Sequence, residues 1–324
     1  MQVLVTGGAG YIGSVIVEEL LAAGHSVVVY DSLVKGHLDA VHPEATFVHA
    51  QLAERDHLRH TLEAHQIEAI IHMAAFSLVP ESVAHPERYF ENNVSGSLAV
   101  VQAMIDAGVK RLVFSSTAAL FGEQEQMPIS EEARTQPTNP YGASKLLVEQ
   151  MLPWIAQAHG MTCTSLRYFN AAGATERYGE DHHPETHLIP LVLTAAQQGQ
   201  PVTVMGTDYT TPDGSAVRDY IHVVDLAQAH IQALKSAEPG LSAYNLGIGH
   251  GYSVRQVIES ARKVTGLAIK VEEGPRRAGD QAITIASAER IRAALGWQPR
   301  YPDLDTIIES AWQWKQKYPN GYAK

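Results

Sequence analysis

The stretch Thr6-Gly7-Gly8-Ala9-Gly10-Tyr11-Ile12-Gly13 places glycines at 7, 10 and 13, between the β-branched run Val3-Leu4-Val5 and a helical pattern through Ile16 to Leu21. Glycine lets a backbone turn sharply and approach a ligand closely, and the helix that follows presents unpaired N–H groups and the positive end of its dipole. A pyrophosphate suits such a turn. A second apolar run, Val27 to Tyr30, ends on Asp31, where a carboxylate can accept hydrogen bonds from a ribose diol and would repel a 2′-phosphate. The stretch therefore predicts a dinucleotide site that prefers NAD to NADP.

Outward from this turn, short β-branched runs continue at Thr46 to Val48, Ala69 to Ile71, Leu112 to Phe114 and Thr162 to Leu166. Helical patterns such as Leu58 to Ile67 and Leu98 to Ile105 separate them. Six βα units in series predict an α/β fold, a doubly wound parallel (Rossmann) sheet. From about Tyr168 the alternation gives way to a segment rich in His, Pro, Thr and Gly. A first domain over 1–170, with a returning segment near 218–237, and a smaller α/β domain over 171–324 are expected. The returning segment contains the amphipathic pattern Asp225 to Lys235, and Val254 to Thr265 gives another.

The bulk properties agree with a soluble enzyme. At 324 residues the chain exceeds the usual single-domain size, and its net charge of −11 opposes general attraction to nucleic acid or an anionic membrane. Cys163 is the sole cysteine, so no intrachain disulfide forms, which favours a reducing compartment. The start MQVLVTGG has no basic leader and no run of eighteen apolar residues occurs. A cytoplasmic protein is expected.

The second decisive stretch is Pro140-Tyr141-Gly142-Ala143-Ser144-Lys145. A free phenol titrates near pH 10 and is a poor base at neutrality, whereas a cation one helical turn away stabilises the phenolate. Tyr141 and Lys145, at i and i+4, supply that arrangement, and Lys145 can also reach a nicotinamide ribose. Thr117 falls at the carboxyl end of a predicted strand, where its hydroxyl can bond the substrate oxygen whose proton Tyr141 exchanges. Ser115 and Ser116 precede it in Phe114-Ser115-Ser116-Thr117-Ala118-Ala119.

The glycine spacing resembles the short-chain dehydrogenase/reductase superfamily in its extended form. Over essentially its full length the chain resembles the UDP-glucose 4-epimerase family, through TGGAGYIGS at 6–14, ESV at 81–83, NNV at 92–94, FSSTA at 114–118 and NPYGASK at 139–145. The likeness continues in RYFNAAGA at 167–174, VRDYIHVVDLA at 217–227, YNLGIG at 244–249 and RRAGD at 276–280. It implies tightly bound NAD, a UDP-sugar substrate, a second domain that binds it, and a homodimer built through helices near 93–107 and 141–158. It implies 4-epimerisation through a transient 4-keto sugar, with no net redox change.

By this resemblance Tyr11, Ile12, Ser32, Ala74 and Ala75 join the glycines and Asp31 around the cofactor. Gln51 and Leu52 stand where the family often touches adenine with an Asp-Leu or Asp-Ile pair. Asn93, Ser115 and Tyr168 fall at the nicotinamide end. On the substrate side Asn170 contacts the nucleotide sugar, Arg218 and Arg277 the pyrophosphate, and Asp280 the uridine ribose. His187, Leu188, Val204 and Met205 complete that set. Thr284 stands where a large aromatic would exclude an N-acetyl group, so UDP-N-acetylhexosamines join the expected substrates.

Alternatives stand beside this reading: another nucleotide-sugar epimerase or dehydrogenase of the same superfamily, and a non-catalytic NAD-sensing protein. A 4,6-dehydratase would need acid/base carboxyls beside Thr117, where this chain has Ala118 and Ala119. The run Asp181-His182-His183, with His187 nearby, is interrupted by Pro184 and does not give helical ligand spacing, so no metal is expected.

Overall fold

The computed structural model describes residues 1–236, 238–277 and 280–323. Residues 278 and 279, in the middle of the RRAGD run, lie outside the described residues, as do 237 and 324 at the ends of the segments read from sequence. The six predicted strands form as β1 Gln2–Thr6, β2 Ser26–Asp31, β3 Thr46–His49, β4 Ala69–His72, β5 Arg111–Thr117 and β6 Thr162–Tyr168. Four short strands follow outside their sheet: β7 Asn170–Ala172, β8 Val202–Met205, β9 Val217–Arg218 and β10 Tyr220–His222. The chain then returns as β11, Gly240–Leu246, before β12 Tyr252–Ser253, β13 Val271–Gly274 and β14 Ile283–Thr284.

The central sheet has seven strands in the order β11-β6-β5-β4-β1-β2-β3, and every neighbouring pair is parallel. The winding reverses between β1 and β4, so a crevice opens above their carboxyl ends. β11 was not foreseen. Its sequence, GLSAYNL, lacks the dense β-branching of the others, and it enters the sheet through full-length pairing with β6, from Gly240 against Thr162 to Leu246 against Tyr168.

Helices cover both faces. Those of the first half are α1 Tyr11–Ala22, α2 Arg55–Ala64, α3 Val79–Ala84, α4 Pro86–Tyr89, α5 Gly96–Ala107 and α6 Pro140–His159. The later ones are α7 Leu188–Gln198, α8 Val223–Ala233, α9 Val254–Thr265, α10 Glu289–Leu295 and α11 Leu304–Lys317. Successive strand residues face opposite sides, which is why Val3 and Val5 join one core with α1 and α8 while Leu4 joins the other with α2, α5 and α6. A third apolar cluster, from α7, α9, α11 and Val202 and Val204 of β8, holds the smaller lobe together.

Two buried carboxylates explain the VRDYIHVVDLA run. Asp219 accepts the N–H groups of Ile248, Gly249 and Ala286 at 2.8, 3.0 and 3.1 Å, and Asp225 accepts those of Arg300 and Tyr301 at 2.7 and 3.0 Å. Each carboxylate ties distant chain segments that would otherwise bury unpaired amides.

Candidate active site

The glycine turn sits where the winding reverses. Gly7 has φ +70, and a Cβ there would lie 2.6 Å from the Ala74 nitrogen; a Cβ on Gly13 would lie 2.1 Å from the Gly7 carbonyl oxygen. Neither position accepts a side chain without displacing backbone. Gly10 caps α1 with no side-chain hydrogen bond and no acidic residue follows in the first turn, so the helix N-terminus is free for an anion. Asp31 is buried at the end of β2. Its Oδ2 accepts from Ala9 N at 3.0 Å and its Oδ1 from Leu33 N at 2.8 Å, so one carboxylate both fixes the turn and faces the crevice. Burial raises its pKa, opposed by those amide bonds. These donors and this carboxylate fit the pyrophosphate and ribose of a dinucleotide.

Catalytic candidates come from β5 and α6. Asn139 caps α6 by accepting from Gly142 N at 2.9 Å, and Pro140 occupies the first turn, which seats Tyr141 at the crevice and Lys145 one turn deeper. Lys145 Nζ donates to the Ser115 carbonyl at 2.7 Å and lies 4.9 Å from the centroid of the Phe114 ring. Thr117 Oγ1 accepts from Ala119 N at 3.1 Å, and its hydroxyl is close enough to Tyr141 to oppose the rise of the phenol's pKa. Thr117 thus caps the turn that follows β5 and faces the same cleft as Tyr141.

The electrostatics depart from the simple expectation of a lysine lowering a tyrosine. Burial raises the Tyr141 phenol above its ordinary value, with Thr117 in opposition, and the same burial lowers the Lys145 ammonium to about 7, opposed by Glu149. Desolvation outweighs the i, i+4 pairing in the protein alone.

One continuous cleft of about 1710 Å³ collects the remaining candidates. Tyr11, Ile12, Ser32, Gln51, Leu52, Ala74 and Ala75 line its dinucleotide end, and Ser115, Thr117, Tyr141, Lys145 and Tyr168 its centre. Asn170, His187, Leu188, Met205, Arg218, Arg277, Asp280 and Thr284 line the part formed by the smaller lobe. Arg218 Nη2 stands 3.7 Å from Asp280 Oδ1, and Thr284 pairs in register with Arg218 across β14 and β9.

Two predicted residues are not brought to the cleft. Val204 has no exposed surface and packs into the third apolar cluster, because alternation along β8 turns Met205 to the cleft and Val204 away from it. Asn93 is buried in a π-helical turn over Phe90–Ser95. Its amide accepts from Phe76 N at 2.9 Å and donates to Phe76 O and Ser144 Oγ, each at 3.0 Å, while Ser144 Oγ donates to Tyr141 O at 2.7 Å. Asn93 thus braces a cleft-wall segment against α6 from behind. The sequence reading missed this bracing, along with the buried hydrogen bond between Tyr168 and His230, which joins a cleft residue to α8.

Residues 3–247 match the model of the NAD dependent epimerase/dehydratase family. The chain belongs to this family. A UDP-glucose 4-epimerase of Lacticaseibacillus casei is 49% identical over 327 residues, covering 99% of both chains. A crystal structure of a UDP-glucose 4-epimerase superposes with a TM-score of 0.97 at 47% identity, covering 100% of both chains. The Bifidobacterium longum UDP-glucose 4-epimerase, solved in complex with NAD+ and UDP, gives 0.94 at 37% identity over 99% of this chain and 100% of that one. Beside Thr117, Ala118 and Ala119 offer no side chain that can move a proton.

Proposed function

We propose that the chain is an NAD-dependent UDP-glucose 4-epimerase that interconverts UDP-glucose and UDP-galactose, with UDP-N-acetylhexosamines as further substrates. The carrying observation is that Thr117, Tyr141 and Lys145 meet at the centre of a cleft that runs from the glycine turn to Arg218, Arg277 and Asp280. The names and ligands of the 4-epimerases most like this chain support the same reading.

Bound NAD supplies the acceptor, and then the donor, of a hydride at the sugar C4. Tyr141 takes the proton of the 4-hydroxyl and returns it at the end, while Thr117 donates a hydrogen bond to the same oxygen. Lys145, held by its bond to the Ser115 carbonyl, sets its amine beneath the site, where burial lowers its pKa to about 7. Arg218 and Arg277 hold the diphosphate through guanidinium forks, Asp280 the uridine ribose and Asn170 the sugar, so the 4-keto sugar can turn over while its nucleotide stays anchored. In this assignment residues 1–170 with the returning segment near 218–237 bind NAD, and 171–324 bind the UDP-sugar.

Leu98 on α5 and Leu147 and Trp154 on α6 are 39, 44 and 76% exposed, and Leu147 and Trp154 are seven residues apart on one helix face. This apolar surface supports a homodimer through α5 and α6. Among the described residues no helix is long and apolar enough to cross a membrane. The buried lone thiol of Cys163 suits the reducing cytoplasm, where a role in galactose metabolism follows from the substrates.

Purified protein incubated with UDP-galactose and no added NAD should form UDP-glucose, and Tyr141→Phe should lose about 10²–10⁴-fold in rate. A requirement for one added NAD per turnover would overturn the reading.

A further inference from the structure

Between α7 and the preceding loop, Glu180, His182, Glu185 and His187 each present one donor atom, and the four atoms lie within 4.8 Å of one another. His182 Nδ1 stands 3.2 Å from Glu180 Oε1 and 3.8 Å from Glu185 Oε2; His187 Nδ1 contacts Glu180 Oε1 and stands 3.8 Å from Glu185 Oε1. A four-coordinate zinc ion with ligand bonds of 2.0–2.2 Å requires donors roughly 3.5 Å apart. We propose that these four side chains form a divalent-cation site, best suited to Zn²⁺.

Two independent observations call for a cation there. The buried Nδ1 atom of His182 stands 3.2 Å from Glu180 Oε1 without a well-formed hydrogen bond to it, a half-satisfied position that a metal ion would complete. Among the described residues, no lysine or arginine pairs with Glu180 or Glu185, whose carboxylates are 7 and 19% exposed. A divalent ion balances two carboxylates and satisfies both imidazoles at once. Two nitrogen and two carboxylate donors favour zinc over magnesium or calcium, which prefer oxygen alone.

The surroundings hold the ligands in place. Glu185 Oε1 already accepts from the backbone N–H groups of Thr186 and His187 at 2.7 and 2.8 Å, which leaves Oε2 for the ion. The Tyr11 ring stands edge-on to His182, with centroids 6.2 Å apart. Glu180 and His182 line both the main cleft and a second cavity of about 290 Å³, so the cluster forms the partition between them. A metal here pins the wall that carries His187 and Leu188 and takes no part in proton or hydride transfer. Pro184 sits inside a loop, and that loop gathers Glu180 and Glu185 beside the two histidines, a grouping that helical spacing does not single out.

The test uses untagged full-length protein, stripped with chelator, given one equivalent of Zn²⁺ and passed through gel filtration, with metal counted by mass spectrometry. One zinc per chain is expected, with a rise in melting temperature that chelator reverses. His182→Ala/Glu185→Gln should retain almost none and show no rise. No retained zinc in the wild type, or equal retention in the double variant, would overturn the proposal. Because the variant could fold poorly, Co²⁺ added to the wild type gives a second reading. Intense visible bands of four-coordinate cobalt support the site, and the weak spectrum of aqueous Co²⁺ refutes it.

Discussion

The ammonium of Lys145, in the second turn of α6, donates to the carbonyl oxygen of Ser115 on β5 at 2.7 Å. This single bond ties the helix that carries Tyr141 to the strand that carries Thr117. It also places a cation where only 2% of the residue is exposed.

Lys145→Met should therefore change both rate and pH behaviour. The folded pKa of about 7 lies below the unfolded value of about 10.4, so between the two the unfolded chain binds more protons and stability rises with pH. Wild type should gain on Lys145→Met as pH rises from 7 to 9, by up to about 1.4 kcal/mol per pH unit. Urea unfolding at both pH values measures this; parallel stabilities would refute the buried charge. Epimerase activity of the variant should fall sharply at every pH.

Gly13→Ala places a Cβ 2.1 Å from the Gly7 carbonyl oxygen and 3.0 Å from the Gly8 Cα. The turn must open to admit it, so the variant should purify with little NAD, while Gly24→Ala, which meets nothing within 4 Å and bears only the backbone strain of φ +81 far from the turn, should lose some stability and keep its NAD. Dinucleotide released by acid and quantified per chain decides the matter.

Glu149 and Arg167 form a buried pair, with Nη2 to Oε2 at 2.7 Å and Nε to both oxygens at 3.1 Å; Ser165 Oγ donates to the same carboxylate at 2.5 Å. Glu149→Ala leaves the guanidinium uncompensated and should cost about 3–5 kcal/mol. Replacing both partners with methionine should restore much of that loss, as measured by denaturant midpoints.

His222 caps α8 by accepting from Val224 N at Nδ1, at 3.1 Å, so the ring must stay neutral to hold its bond. Burial lowers its pKa to about 4. Relative to an unfolded value near 6.5, its contribution is fully present above about 6.5 and is lost as pH falls toward 4. His222→Asn keeps a capping acceptor without a titrating proton, so its stability should fall less steeply between pH 6.5 and 4. Identical slopes in urea titrations would count against this.

Thr284 pairs with Arg218 at the cleft, and a tyrosine there would fill space that the threonine leaves open. Thr284→Tyr should cut turnover of UDP-N-acetylglucosamine by about tenfold or more while sparing UDP-galactose, the scale expected for steric exclusion from a shaped pocket. Competition between the two substrates reads the change directly.

What the sequence made legible is what local spacing encodes. Glycines at 7, 10 and 13, Asp31 at a strand end and Tyr141 four residues from Lys145 are one-turn or one-element patterns, and the structure brings them to one crevice. Long-range features were opaque. β11 is held by pairing with β6 and by packing of Tyr244 and Leu246 into the core, and the facing of Val204 and Met205 depends on the register of a four-residue strand. The bracing by Asn93 joins residues 17 and 51 positions apart, a distance that no periodicity reveals. The raised Tyr141 phenol likewise reflects burial that spacing does not measure.

The late arrival of β11 bears on how the chain is made. Until Leu246 has left the ribosome, β6 stands as an unpaired sheet edge of seven residues from Thr162 to Tyr168, a template for misdirected strand pairing. The seven-stranded sheet cannot complete its fold as a nascent N-terminal unit. Synthesis must run through α7, β8 and α8 before the edge closes, so fragments ending short of Gly240 should aggregate, and rapid translation through 171–239 shortens the interval of risk.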